Sequence, residues 1–288
     1  MIKALLINDT SGENHVGCLG VTRAFHAICA RHGIKIIQAY TRDQFYQSPI
    51  KLNTAADLIL WNGEGNLIHS AEKYRAKINI YFDNVLRSVC KPTALINTVW
   101  DQFNPTPATH DNVNARIRLI SCRETLSTAQ VAPWYTGNLL TTPDLIFDFA
   151  RYTRVYPEKR GVGYTDMLPN KYQLDKDPGC FYPMNSGGYP ESVEIHLHRL
   201  AGLSMLVCGR FHSICLAAIA GTEVLAVKHN CHKNEGIMLD AGASDYYYDK
   251  PGEAFTAAIN TGGADLSDYR DTAHGKIDTL FKQIKELA

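Results

Sequence analysis

The stretch "LVCGRFHSICLAAIAG", residues 206–221, contains an apolar run, a short polar corner and a second apolar run. The first run predicts a strand and the second a helix. A strand that leads directly into a helix is a building unit of parallel α/β sheets. The corner between them carries Arg210 and His212, two positions apart. The prediction of the fold and the first candidate site therefore meet at one place in the sequence.

The alternation of strand and helix continues on both sides of this corner. Apolar runs that predict strands are "KALLIND", "IKIIQAY", "ADLILWNGEGN", "KPTALINTV" and "IRLISCRE" before it, and "EVLAVK" after it. Helical spacing lies between them, as in "GVTRAFHAICARHG". Strands that alternate with helices pair in parallel and are covered on both faces. The sequence therefore predicts an α/β protein whose first half is a doubly wound sheet.

A change in composition separates two halves of the chain. The stretch "TTPDLIFDFARYTRVYPEKRG", residues 141–161, contains two prolines and a charge-rich run, which is typical of a crossing between domains. We predict one domain over residues 1–150 and a second over 151–288, with the last helix able to pack back on the first domain. Two such domains are expected to face a cleft, with ligands beyond the carboxyl ends of the strands.

Composition excludes several classes of function. The chain has 288 residues and 45% apolar residues, and its 29 Lys and Arg balance 29 Asp and Glu. No global charge attracts nucleic acid or an anionic membrane, so an anionic ligand must meet local charge. The start "MIKALLIND" lacks the length and cleavage region of a signal peptide, which predicts a cytoplasmic location. The eight cysteines are scattered, and we expect no disulfide framework.

Polar loops follow several of the predicted strands. The loop "NDTSGENHVGC" precedes a helix whose amides and dipole suit a phosphate or carboxylate, although an ordinary turn explains it equally well. In "WNGEGN", Glu64 lies between two glycines and is placed to accept a hydroxyl proton, with a solvated turn as the alternative. Arg123 ends another strand, where it either grips an oxyanion or forms a surface ion pair with Glu124.

The corner at Arg210 and His212 carries more chemical information. Two residues at a strand-to-helix corner can both face forward, and the helix that starts near Ser213 adds partial positive charge beneath them. An imidazole also donates or accepts protons near neutral pH. This combination favours an anionic ligand, and a structural histidine at the helix start is the alternative. Lys228 and Lys233 follow the next strand and extend the positive charge.

Two further groups of histidines are interpreted as non-functional. His229, Cys231 and His232 are too crowded to match common zinc spacings, so we predict no metal site. His196 and His198 are two apart on a predicted helix, where such positions do not share a face. We interpret both as surface residues.

In this order, the loops resemble those of the polysaccharide pyruvyl transferase family. The points of similarity are "NDTSGENHVGC", "NGEGNLIH", "CRETLS", "TPDLIF" and "GRFHSICLAAIAGTEVLAVKHNCHK". The last is the most specific, because an Arg-x-His corner followed by a helix, a strand and a lysine is the family's signature. The resemblance implies a GT-B-like fold of two Rossmann-like domains around a central cleft. It places the acceptor on the first domain and the donor on the second, and it implies no metal and no cofactor.

The resemblance also implies a reaction. Family members that form ketals use phosphoenolpyruvate as donor and a sugar as acceptor. The implied acceptor is a glycan or a lipid-linked sugar, which leaves peripheral contact with the inner face of the membrane open. The implied catalytic residues are His212 as proton donor and Glu64, which orients the acceptor hydroxyls. The implied donor-binding residues are Arg210, Arg123, Lys233 and Ser213. The implied acceptor or loop residues are Asn14, Gly17, Asn62, Gly63, Gly65 and Asn66.

The first loop departs from the family pattern. Many members have Asn-x-Gly-Asp there, whereas this chain has "NHVGC" at residues 14–18, with Cys18 in place of the aspartate. A GT-B-like glycosyltransferase with a nucleotide-activated donor, such as a CMP-Kdo-like sugar, therefore stays open, with Glu64 or Asp9 as nucleophile or base. A glycan-binding relative without catalysis is a further alternative. Cys18 near His15 is a candidate nucleophile, or it packs under a glycine turn.

The segment 169–190 has no regular period, and we expect a mobile loop over the cleft. Its aromatic side chains either stack on sugar rings or pack internally: Tyr172, Phe181, Tyr182 and Tyr189.

Overall fold

The computed structural model describes residues 1–65, 72–101, 107–152, 159, 161–166, 182–184 and 192–288. The chain divides into two compact units. Unit 1 comprises Met1–Ser11, Phe25–Pro143 and Gly275–Ala288, and unit 2 comprises Gly12–Ala24 and Asp144–His274. Among the described helices, none has the length and apolar character needed to cross a membrane.

Unit 1 is built on a six-stranded parallel sheet. Its strands are β1 (Ile2–Ile7), β2 (Ile34–Tyr40), β3 (Leu58–Asn62), β4 (Thr93–Thr98), β5 (Ile117–Cys122) and β6 (Asn138–Thr141). Their order is β2-β1-β3-β4-β5-β6, so the direction of winding reverses between β1 and β3. Such a switch point opens a crevice at the carboxyl ends of the two strands, where ligands of doubly wound sheets bind. The loops after β1 and β3 are those that the sequence singled out.

Helices connect these strands, and aromatic side chains fill the core. The helices are α2 (Glu72–Ser88), α3 (Pro107–Arg116) and α4 (Thr125–Val131), with a 3-10 helix at Arg42–Phe45. Every residue of β3 and β4 is buried, as expected for strands covered on both faces. Trp61 on β3 donates a hydrogen bond to the Tyr81 hydroxyl on α2 at 2.8 Å, which satisfies the indole group inside the apolar core.

Unit 2 contains a smaller parallel sheet in the order β10-β9-β8-β7. Its strands are β7 (Val162–Tyr164), β8 (Met205–Cys208), β9 (Glu223–Val227) and β10 (Tyr247–Tyr248). Its helices are α5 (Val193–Ala201), α6 (Phe211–Ala220), α7 (Lys233–Asp240) and α8 (Pro251–Asn260), with 3-10 helices at Leu145–Tyr152 and Ser244–Tyr246. All residues of α6 are buried, and Gly221 ends it with a φ of 69°. Gly221 takes the left-handed conformation that closes many helices.

Two helices contribute residues to both units. Helix α1 (Val16–Arg31) belongs to unit 2 up to Ala24 and to unit 1 from the next residue on. Helix α9 (Ser267–Lys285) belongs to unit 2 up to His274 and to unit 1 after it. The predicted boundary at 150/151 falls inside the 3-10 helix Leu145–Tyr152, whereas the division in the structure falls at 143/144. The reason is that Leu145, Ile146 and Phe147, which the sequence analysis placed in a crossing segment, are buried core residues.

Candidate functional site

The corner between β8 and α6 holds Arg210 at the N-cap of α6 and His212 in the first turn. The Ser213 hydroxyl accepts a hydrogen bond from the Arg210 backbone N–H at 3.3 Å and donates to the Arg210 carbonyl at 2.5 Å. Ser213 is fully buried and also accepts from the Thr165 hydroxyl at 3.3 Å. The sequence analysis assigned Ser213 to the binding site of the donor substrate. In the structure these hydrogen bonds occupy its hydroxyl, so Ser213 stabilises the turn.

His212 has a buried carboxylate beside its ring. Its Nε2 lies 3.5 Å from Asp144 Oδ2, and the side chain of Asp144 is fully buried. Asp144 Oδ1 accepts a hydrogen bond from the Ile146 backbone N–H at 2.9 Å, which sets the direction of the carboxylate. A buried carboxylate in this position holds the imidazole in one orientation. The structure thus gives His212 an oriented ring.

Arg210 is held by a second carboxylate. Its Nε is in contact with Asp166 Oδ2, and Asp166 Oδ1 accepts a hydrogen bond from the Met184 backbone N–H at 3.0 Å. The Met184 carbonyl in turn accepts from the Val16 backbone N–H at 3.1 Å. This chain of contacts joins the end of β7, the corner and the start of α1. Both charged groups of the "GRFHS" corner are therefore positioned by acids from elsewhere in unit 2.

Gly17, near the start of α1, lies directly against the His212 ring. A Cβ atom added to Gly17 would lie 2.3 Å from both Cγ and Nδ1 of that ring. Real Cβ atoms do not approach other atoms this closely, so any larger residue at position 17 would force the His212 ring to shift. Gly17, which the sequence analysis assigned to the acceptor or its loop, thus packs against the predicted proton donor.

His15 caps α1. Its Nδ1 accepts hydrogen bonds from the backbone N–H groups of Gly17 at 3.1 Å and Cys18 at 3.4 Å, and its carbonyl accepts from the Leu19 N–H at 3.1 Å. The His15 and His212 ring centroids are 5.5 Å apart. Asn14, which precedes the cap, is exposed. The first loop therefore supplies a histidine to the corner, a role that the sequence analysis did not assign to it.

Several basic side chains lie near His15. The pKa of His15 is lowered to about 3, first by burial and then by His212, Arg210, Lys233 and His196 in that order of effect. His15 is therefore neutral near pH 7. The cation-rich environment is the kind that attracts an anionic ligand.

Lys233 is the first residue of α7 and is 8% exposed. Its charge also acts on His229. The pKa of His229 is lowered to about 3, first by burial, then by Lys233 and then by Arg210. Lys228, in contrast, is exposed and forms a salt bridge with Asp249 at 2.8 Å. Of the two lysines that the sequence proposed, Lys233 belongs to the cluster of unit 2 and Lys228 lies in a surface ion pair.

The interpretation of His196 as a surface residue is wrong. His196 is 1% exposed and faces the interior from α5, whereas His198 on the same helix is exposed. The apolar positions Val193, Leu197 and Leu200 place His196 on the buried face of that helix. Within the described residues no three His, Cys, Asp or Glu side chains are grouped so that they could hold a metal ion.

Glu64 lies at the switch point of the sheet in unit 1. It is 5% exposed, and its Oε2 accepts a hydrogen bond from the Thr10 hydroxyl at 3.1 Å. The Asn8 side chain donates to the carbonyls of Asn62 and Glu64 at 2.8 and 3.0 Å, and Asn62 Oδ1 accepts from the Glu64 N–H at 3.2 Å. The alternative prediction, a turn with a solvated Glu64, is excluded, because this carboxylate is buried and takes part in a hydrogen-bond network.

The glycines beside Glu64 have different roles. A Cβ on Gly63 would lie 2.3 Å from Thr98 Cβ, so the loop after β3 packs tightly on the end of β4. Gly65 has a φ of 70°, which a glycine adopts without strain. Asn66 lies outside the described residues.

Arg123 follows β5 in unit 1 and is 2% exposed. Its backbone N–H donates to the Thr98 carbonyl at 2.8 Å. Glu124 is fully buried, and its carboxylate accepts a hydrogen bond from the Ser127 N–H at 2.9 Å at the start of α4. The alternative that Arg123 forms an ion pair with Glu124 at the surface is therefore wrong, because both side chains are buried.

The predicted residues divide between the units. Glu64, Asn62, Gly63, Gly65 and Arg123 belong to unit 1; His212, Arg210, Lys233, Ser213, Gly17 and Asn14 belong to unit 2.

Three residues of unit 2 escaped the sequence analysis: Asp144, Asp166 and His15. Asp144 lies in "TPDLIF", which was noted only for its resemblance, and Asp166 follows the β7 strand in "GVGYTDM". For Asp144 and Asp166, the signal available in the sequence was an acidic residue that closely follows a strand.

The loop 169–190 is described only at residues 182–184. Tyr182 is 8% exposed, and the Arg199 guanidinium lies 5.2 Å from its ring centroid, so this aromatic side chain packs internally. Tyr172, Phe181 and Tyr189 lie outside the described residues.

Comparison with known proteins adds to this geometry. A family model described as polysaccharide pyruvyl transferase matches residues 25–230, more than half of the chain. No curated protein matches the sequence. Several solved structures are similar. An uncharacterized protein of Klebsiella pneumoniae has 16% identity and a TM-score of 0.52, with 85% of this chain and 90% of that one covered.

Two further similar structures contain sugar-related ligands. UDP-GlcNAc 2-epimerase from Neisseria meningitidis, bound to UDP-GlcNAc, has 10% identity and a TM-score of 0.51. Alr3699/HepE of Anabaena, in complex with UDP and glucose, has 12% identity and a TM-score of 0.50. In both cases 99% of each chain is covered. These likenesses show the fold, which is GT-B-like with parallel sheets.

Proposed function

Because the chain belongs to the polysaccharide pyruvyl transferase family and is thus a transferase, we propose that it moves a pyruvyl group from phosphoenolpyruvate to a sugar of a cell-surface glycan or its precursor. One observation carries the choice of donor. In unit 2, the rings of His15 and His212 are 5.5 Å apart, Arg210 and Lys233 act electrostatically on His15, and His212 is oriented by a buried carboxylate. Phosphoenolpyruvate carries the two anionic groups that such a cluster attracts.

The reaction begins with a proton transfer. Asp144 lies 3.5 Å from Nε2 of His212 and orients the ring, which exchanges a proton with the substrate. Protonated His212 gives this proton to the methylene carbon of phosphoenolpyruvate, which becomes a methyl group and leaves positive charge on the central carbon. A buried carboxylate behind the ring stabilises the imidazolium before transfer. Arg210 and Lys233 hold the phosphate and the carboxylate while this charge develops.

Two bonds to the acceptor complete the ketal. A sugar hydroxyl attacks the central carbon, and its proton restores His212. The carbon-oxygen bond to phosphate then breaks, and a second hydroxyl of the same sugar takes its place on that carbon. The proton of the second hydroxyl leaves with inorganic phosphate, so one phosphoenolpyruvate and one diol give one ketal and one phosphate. No metal or cofactor takes part in the proposed reaction.

The role of Glu64 at the acceptor and the role of Arg123 at the donor remain part of the proposal. Burial of Glu64 and its bond to Thr10 support a fixed carboxylate that accepts hydrogen bonds from the acceptor hydroxyls and orients them. Arg123, at the end of β5, is assigned to the phosphate or carboxylate of the donor, as the resemblance implies.

The choice of donor is tested first by ligand-dependent stability. A ligand that binds only the folded state raises the melting temperature by mass action. We expect millimolar phosphoenolpyruvate to raise it and CMP, UDP and GDP to leave it unchanged. Stabilisation by one nucleotide alone would instead support a glycosyltransferase with a nucleotide-activated sugar, and no response to any of the four would favour a non-catalytic relative.

The assignment of His212 is tested by turnover. Phosphate release from phosphoenolpyruvate, measured with a mixture of glycan diols as acceptors, should fall in His212→Ala on the order of a hundredfold or more. His198→Ala is the matched control, because His198 is an exposed histidine of the same unit. Unchanged turnover in His212→Ala would remove the proposed acid.

A further inference from the structure

His15 has one nitrogen occupied and the other available. Nδ1 accepts the backbone N–H groups of Gly17 and Cys18, so it carries no proton, and the ring proton lies on Nε2. Among the described residues, Nε2 has no hydrogen-bond partner. The side chain is only partly buried, which leaves it accessible to a ligand. The cap of α1 therefore fixes His15 as a hydrogen-bond donor.

Four basic side chains act on His15: His212 and Arg210 at the start of α6, Lys233 at the start of α7, and His196 on α5. Carboxylates lie beside two of them, Asp144 beside His212 and Asp166 beside Arg210. Burial and these charges hold its pKa at about 3, so the ring stays a neutral donor across physiological pH. Its distance to the His212 ring, 5.5 Å between centroids, lets both imidazoles contact one small ligand.

We propose that His15 is a binding residue of the donor site and that its Nε2–H donates a hydrogen bond to a phosphate or carboxylate oxygen of the donor. The inference rests on the proposed function for its choice of phosphoenolpyruvate as the ligand. His15 lies outside the residues 25–230 that match the family model. It lies at the start of α1, where its ring N–H is a hydrogen-bond donor for an anion.

The proposal assigns different roles to His15 and His212, whose rings lie close together. His212 has a carboxylate beside it and is assigned to proton transfer. His15 has backbone N–H groups beside it, which disfavour a second proton, so it binds without titrating.

The decisive variant is His15→Asn. Asparagine is a good N-cap residue and keeps an acceptor for the α1 amides, but it cannot reproduce the Nε2–H. We expect wild-type resistance to urea and a loss of phosphoenolpyruvate affinity on the order of ten- to a hundredfold by calorimetry. His26→Asn is the matched control, since His26 is an exposed histidine on the same helix, and it should bind as wild type does.

A spectroscopic measurement makes the test independent of the variant's folding. In ¹⁵N-histidine-labelled wild type, His15 should show the Nε2–H tautomer, and its Nε2 signal should shift when phosphoenolpyruvate or inorganic phosphate is added. Wild-type affinity in His15→Asn would overturn the inference and leave the proposed function standing. If phosphate alone shifts the His15 signal and the variant abolishes phosphate binding, the inference stands and the proposed donor fails. If neither anion shifts the signal, the inference is wrong.

Discussion

Replacement of Gly17 by alanine tests the packing at the centre of the candidate site. The new Cβ would lie 2.3 Å from Cγ and Nδ1 of His212, so the ring must move by about 1 Å to regain van der Waals contact. The ring has little room, because His212 is 7% exposed and Asp144 lies 3.5 Å away on its other nitrogen. Overpacking of this kind costs about 1 to 3 kcal/mol. The substitution also favours the helical backbone of α1 by about 1 kcal/mol, so the net loss should be up to about 2 kcal/mol.

The matched control is Gly275→Ala, because Gly275 lies inside α9 and an added Cβ there meets nothing within 4 Å. This control should gain about 0.5 to 1 kcal/mol. In urea unfolding, the free energy of unfolding should therefore fall below the wild-type value for Gly17→Ala and rise above it for Gly275→Ala.

Activity gives a second reading of the same substitution. Displacement of a catalytic group by about 1 Å can lower turnover on the order of a hundredfold. We expect a loss of this size in phosphoenolpyruvate-dependent phosphate release for Gly17→Ala and none for Gly275→Ala. If Gly17→Ala gained stability as the control does, and kept full turnover, the close approach of α1 to His212 would be refuted.

Three further predictions concern the same structure. Asp144→Asn keeps the acceptor for the Ile146 N–H but loses the charge beside His212, so turnover should fall on the order of a thousandfold while the protein stays folded, and full turnover would contradict the orienting role. The pKa of His15 is lowered from 6.5 to about 3 on folding, so the unfolded chain binds the extra proton first and stability should decline as pH falls from 6.5 towards 3. Urea titrations should show a shallower decline in His15→Asn, and an equal slope would contradict the shift. Gly63→Ala places a Cβ 2.3 Å from Thr98 Cβ and 2.8 Å from its Cα, so no side-chain rotation relieves the contact, and calorimetric melting should show a loss of at least about 1 to 3 kcal/mol.

Much of the fold followed from local order along the chain. Apolar runs that alternate with helical spacing predicted parallel α/β architecture, and the structure confirms it with two parallel sheets. This worked because buried parallel strands such as β3 and β4 are apolar throughout, which a reader of the sequence can detect. The very short strand β10 and the half-exposed strand β6 lack such a run and were not predicted.

The corner residues were also accessible from the sequence, but their partners were not. Arg210 and His212 are conspicuous because charge interrupts two apolar runs. Their carboxylates come from distant positions, and the Asp166 that contacts Arg210 is 44 residues away along the chain. Which acid meets which base depends on the order of strands in the sheet and on where each loop ends, and these follow from packing of the whole unit.

His196 and His15 show the same limit. A helical pattern with several apolar positions did not reveal that His196 shares their face, since burial depends on what packs against α5. The sequence marked the first loop as a glycine turn before a helix, with His15 as one of its polar residues. Only folding brings α1, α5, α6 and α7 close enough for their charges to hold His15 neutral, because electrostatic effects of this size act over distances of a few ångströms.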